Sequence, residues 1–241
     1  MKPVLLYGAV FVLCVVVVTM LFWRPIMTTL AWYTLQHEIG DNQMLTLTPR
    51  TTLPLPDRTD TDARTPFQTL SIPAPTDKTE LRNASSTLVV TPGDSGQTYI
   101  LSSITPFAQQ FVNNPNLTVE SKNKICSGKT RPLLLNPCAD NQAFVQTVLS
   151  VTPDDVSLFS TRETKVFHTV FVSLKQLYVP LETEQIYVVT TDTLQGYLAY
   201  SPTRSLAFVF DQAGVGYEMA FFAMDQAAIA SVLQHIKPLE P

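Results

Sequence analysis

Two cysteines, Cys126 and Cys138, bracket the segment CSGKTRPLLLNPC, and the third, Cys14, lies far upstream in an apolar run. A lone pair of this kind suits a disulfide in an oxidising compartment, the alternative being two free thiols in a cytoplasmic domain. Closing so short a loop stabilises by roughly 3 kcal/mol in the chain-entropy model. Gly93-Asp94-Ser95-Gly96 matches the surroundings of a trypsin-like nucleophile. Such a serine needs a histidine base and a buried carboxylate, and the only upstream histidine is His37. Gly, Asp and Ser are explained by a turn between two strands. Ser127-Gly128-Lys129-Thr130 resembles the end of a phosphate-binding loop, but the glycine required five residues before Gly128 is Asn123. Without a strand–loop–helix frame there is no amide cradle for phosphate.

The histidines, His37, His168 and His235, have no metal-ligand spacing. His168 falls just off the apolar stripe of a helix, and His235 in a last helical turn, where a partial positive charge suits the dipole. Asp57, Asp60 and Asp62 lack the glycine and closing glutamate of a calcium loop. Asn83-Ala84-Ser85 and Asn116-Leu117-Thr118 are glycosylation triplets, relevant only in a eukaryotic lumen. No catalytic, cofactor-binding or metal-binding set is read from these residues; the disulfide pair is the one site assigned.

The elements that must position these residues begin with Val4–Trp23, VLLYGAVFVLCVVVVTMLFW, which carries no charge. About 20 helical residues span the roughly 30 Å hydrocarbon core of a bilayer. No small-residue cleavage site follows, so residues 1–24 read as an uncleaved transmembrane signal-anchor. Cys14 is preceded by Val12 and Leu13, not by the small residues of a lipid-attachment site. Lys2 and the α-amino group precede the span and only Arg24 lies close behind it, placing the N-terminus inside and the rest outside. Trp23, Trp32 and Tyr33 suit an interfacial belt, and residues 25–47 read as a juxtamembrane helical segment, with Ile26–Ile39 the helix at the interface. Residues 48–66, TPRTTLPLPDRTDTDARTP, read as an extended Pro/Thr-rich linker able to hold a domain some ~50 Å off the membrane.

Residues 67–241 are enough for one soluble domain with its own core. Phe67–Ile72 alternates apolar and polar residues as one half-buried strand, and Thr87–Val90 and Tyr99–Ile104 follow as a hairpin. Pro106–Val112 and Asn141–Val151 read as helices, and Thr152-Pro153-Asp154-Asp155 as a helix start. Glu163–Tyr178 is the clearest helix, with Phe167, Val170, Phe171, Leu174, Leu177 and Tyr178 as its apolar stripe. Four strands, Gln185–Thr190, Leu194–Tyr200, Ser205–Phe210 and Gly216–Phe222, form a meander before an N-capped helix over Asp225–Ile236. Short antiparallel connections and segregated helices give an α+β fold, an antiparallel sheet with helices packed on it.

The segments FQTLSIPAP, FDQAGVGYEMAFF and DQAAIASVLQHIKP at the two ends of this domain resemble the Mog1/PsbP-like family. The resemblance leaves out Pro106–Tyr178, which is longer than that family's pattern. It implies a sandwich fold and a non-catalytic binding or assembly role. The expected function is that of a single-pass, extracytoplasmic membrane protein with a protein partner in the envelope besides the bilayer itself. The competing expectations are a tethered enzyme assembled from Asp154, Asp155, Glu182, Glu184 and His168, or a small-molecule or lipid carrier. With a net charge of -4 and no Lys/Arg run, nucleic acid is not an expected partner.

Overall fold

The computed structural model describes residues 43–57, 63–74, 78–82, 86–91, 97–104, 138–155 and 161–239, with Trp23, Ile26, Met27, Thr29, Leu30, Tyr33, Thr34, Val119, Asn123 and Cys126 as single positions. The apolar run before Trp23, His37, the Pro92–Gly96 turn, the Pro106–Val112 stretch and Ser127–Thr130 lie outside the described residues. Among the described residues no helix is long and apolar enough to cross a membrane.

A 3₁₀ turn at Gln43–Thr46 precedes β1 (Thr51–Thr52), β2 (Thr65–Phe67), β3 (Leu70–Ile72), β4 (Thr79–Arg82), β5 (Thr87–Val90) and β6 (Thr98–Ser103). Helix α1 (Asn141–Ser150), a 3₁₀ turn at Pro153–Asp155 and the long α2 (Arg162–Tyr178) come next. They lead to β7 (Gln185–Thr190), β8 (Leu194–Tyr200), β9 (Arg204–Asp211), β10 (Gly216–Phe222), α3 (Gln226–His235) and β11 (Lys237–Pro238). Eight strands form one sheet in the order β1-β7-β8-β9-β10-β6-β5-β4, and β11-β3-β2 form a small second sheet. Every pairing is antiparallel except β1 with β7. The fold is α+β with an antiparallel-rich sheet, as the short antiparallel connections and segregated helices predict.

Side chains alternate strictly across the central sheet, which is why strands with almost unbroken burial still have two distinct faces. Ile186, Tyr197, Ala199, Leu206, Phe208 and Phe210 face α1 and α2, where Phe144, Phe167 and Phe171 fill the layer. Tyr187, Val189, Leu198, Ala207, Val209 and Met219 face α3 and the small sheet, packing on Ile229, Leu233 and Ile236. Both faces of the sheet are thus covered. Gly196 is required where β8 meets β9: a Cβ there would overlap the Phe208 carbonyl oxygen and stand 2.8 Å from Val209 Cα.

The helix ends follow the sequence signals. Asp140, Thr161 and Asp225 cap α1, α2 and α3 by accepting from the amides of Ala143, Thr164 and Ala228.

Four local expectations are corrected. Phe67–Ile72 is not one strand but a hairpin, β2–β3, turning through Gln68 at φ 53°. The turn is held from outside, since Thr69 Oγ1 bonds Asp211 Oδ2 (2.7 Å) and Tyr217 Oη (2.6 Å). Thr152–Asp155, expected as a helix start, forms a 3₁₀ turn over Pro153–Asp155 rather than a first α-helical turn. The Asp155 carboxylate closes one 3₁₀ turn by accepting from the Thr152 amide (2.6 Å) and hydroxyl (3.1 Å). Leu177 belongs to no apolar stripe and is 77% exposed, while Lys175 is fully buried.

The fourth correction concerns residues 43–57, expected as juxtamembrane segment and solvated linker. Met44, Leu45 and Leu53 are buried in the cores, Thr51 and Thr52 pair with Tyr187 and Val188, and the Leu53 amide donates to the Val188 carbonyl (2.8 Å). The prolines do keep this stretch extended. It nevertheless runs as a docked strap along the β7 edge, because its leucines find apolar surface there.

Candidate functional site

Three features hold side chains that could bind or react. The first is a polar seam on the buried face of α2. Lys165, His168, Val172 and Lys175 recur at steps of three and four and so share one side of the helix. Lys175 Nζ donates to the carbonyls of Leu45 (3.1 Å), Leu47 (2.5 Å) and Val151 (2.9 Å). Its three protons therefore tie α2 both to the strap and to the end of α1. Burial pushes this ammonium down to about 8, with Asp155 opposing. A fully buried amine held by three carbonyls has no room to attack a substrate, so Lys175 clamps rather than reacts.

His168 Nε2 donates to the Thr152 carbonyl at 2.5 Å, and its Nδ1 is buried without a partner. Burial holds its pKa below the ordinary value, while the Thr152 carbonyl and Asp155 pull the other way. Lys165 Nζ reaches Thr29 Oγ1 at 3.3 Å, joining α2 to the N-terminal helical residues. The seam thus connects α2 to three other parts of the chain.

The second feature is a polar cleft of about 330 Å³ at one end of the sheet, lined by the β7–β8 and β9–β10 turns, the side chain of Gln142 and the ring of Phe210. Its carboxylate at Asp211 is occupied within the fold: Oδ1 accepts from Ala213 (2.9 Å) and Val215 (2.8 Å), and Oδ2 from Thr69. Gln212 Nε2 donates to the Asp192 carbonyl (2.9 Å), bracing one turn on the other. Thr191 Oγ1 accepts from the amides of Thr193 and Leu194. The cleft walls are therefore polar and braced by their own hydrogen bonds, with Asp192 and Thr193 also lining them.

The third is the set of helical residues ahead of the strap. Trp23, Ile26, Met27, Leu30 and Tyr33 are 46–62% exposed. Five large apolar side chains in water within three turns is unusual for a free surface.

Of the residues expected for a scattered active site, Asp155 and His168 come together and Glu182 lies apart from them. Asp155 and His168 both contact Thr152, whereas Glu182 lies beyond the far end of α2 and accepts from Thr203 Oγ1 (2.7 Å). The Glu184 amide is engaged with the Tyr200 carbonyl. His235 is buried at the end of α3, with Nδ1 donating to the Ser231 carbonyl (2.6 Å). Among the described residues no three His, Cys, Asp or Glu side chains are grouped to hold a metal ion. Cys126 and Cys138 are joined at disulfide distance, with Cα atoms 5.1 Å apart, two residues before the α1 cap. Lys175 went unnoticed in the sequence, although Phe171, Lys175 and Val179 at four-residue steps would have marked a lysine on an apolar face.

No family model, curated protein or solved structure matches the chain.

Proposed function

We propose that this chain is a single-pass membrane protein whose domain stands outside the cytoplasm and works as a binding or assembly module. The observation that carries this reading is the exposure of Trp23, Ile26, Met27, Leu30 and Tyr33 immediately after a charge-free apolar run of bilayer length. Fully burying one such side chain is worth roughly 1.5–3 kcal/mol, so a membrane interface offers several times that figure here. The paired cysteines favour an oxidising compartment, and the charge before the span favours the same orientation. The Mog1/PsbP-like resemblance of the two ends of the domain belongs to the same proposal. The occupied carboxylates and clamped lysine support a module over an enzyme.

Two measurements test this on the full chain in its native membranes. Carbonate washing should leave the protein in the floating membrane fraction, and cross-linking there should recover a second protein species. Release by carbonate would remove the anchor; recovery of monomer alone would remove the assembly role.

A further inference from the structure

Resting on the membrane-anchored reading above, we infer that the outer face of α2 is apposed to the bilayer, so that the domain sits on the membrane instead of standing off it. The docked strap removes most of the reach the Pro/Thr-rich stretch would otherwise supply. From Gln43 onward the chain is already part of the fold, with Met44 and Leu45 in the core and Lys175 bonded to the Leu45 and Leu47 carbonyls.

A closer link sets the distance. Thr29 Oγ1 accepts from Lys165 Nζ in the first turn of α2. Trp23 is six residues before Thr29, about 9 Å at the rise of a helix. With Trp23 at the headgroup level, Thr29 lies within that distance of the interface whether the chain stands upright or lies flat, and Lys165 reaches it from the first turn of α2.

The composition of α2 agrees independently. From Val166 onward its outward side carries Val166, Thr169, Ser173, Gln176 and Leu177, none charged. Lys175, buried, is the sole Asp, Glu, Lys or Arg from Val166 to Leu181. A helix facing water normally sets charges on that side. Leu177 and Leu181, each 77% exposed, extend the neutral face past the helix end. A lipid headgroup layer fits it: between Val166 and Leu181 it presents no carboxylate to an anionic surface, and leucines can enter the interface.

The test places a nitroxide on Ser173→Cys, exposed on α2, and on Ala227→Cys, exposed on α3 across the sheet. Both are made in the full-length Cys14→Ser chain, labelled without reductant, in vesicles of mixed zwitterionic and anionic lipid carrying gadolinium-chelating headgroups. Apposition gives relaxation at Ser173→Cys several-fold faster than at Ala227→Cys. Equal, slow relaxation at both sites in protein that floats with the vesicles overturns apposition and leaves the anchor standing. Protein that does not float defeats the membrane reading itself, and this inference with it. A short nitroxide–nitroxide distance between two Ser173→Cys chains, without relaxation by the headgroups, would replace the lipid by a second copy and also overturn it.

Discussion

Lys175 brings together what the packing requires and what the charge resists. Its ammonium is fully buried, yet it satisfies the carbonyls of Leu45, Leu47 and Val151 at once. Lys175→Met keeps the volume and strands three acceptors, each costing about 1–3 kcal/mol when buried unpaired. Urea denaturation should therefore show a loss of about 3 kcal/mol or more; a loss under 1 kcal/mol would mean the clamp is idle. His168 gives the pH dependence. Its pKa is lowered in the fold, so as pH falls below the unfolded value of about 6.5 the unfolded chain binds the proton first. Its contribution is thus present above about pH 6.5 and is lost on acidification, at no more than about 1.4 kcal/mol per pH unit. His168→Gln, which can still donate to the Thr152 carbonyl, should flatten the stability curve between pH 7 and 5. An unchanged slope would assign the acid sensitivity elsewhere.

Elements with long, regular periodicity were legible from the chain. α2, the β7–β10 meander and α3 fall where their patterns and capping residues place them, because local propensity and tertiary packing agree there. The misses share a different cause. Gln68 turns β2 into β3 without glycine or asparagine, since the bonds from Thr69 to Asp211 and Tyr217 hold the turn in place from across the fold. Leu45 and Leu53 look like linker residues among prolines, and only the exposed β7 edge gives them a place to dock. Of the site features, the cysteine pair was readable from spacing, whereas the seam was hidden because its partners are backbone carbonyls, which no motif records. The strap is tested by Leu53→Ala. A buried leucine truncated this way costs about 2–5 kcal/mol, while in a solvated linker it would cost within about 0.5 kcal/mol. Thermal or urea unfolding of the variant separates the two outcomes.

For the whole molecule, the described layers hold one another in place. The sheet is covered on both faces, the strap lies along its β7 edge, and the seam on α2 is bonded to the strap, to the end of α1 and to Thr29. On the proposed membrane-anchored reading, the orientation of this body relative to the bilayer is the central claim. The most direct measurement is a phosphatase that is active only outside the cytoplasm, fused after Pro241 and expressed in a bacterium. The account expects enzyme activity that stays with carbonate-washed membranes and two soluble-domain cysteines that resist alkylation until reduced. An inactive fusion whose Cys126 and Cys138 alkylate without reduction would contradict it.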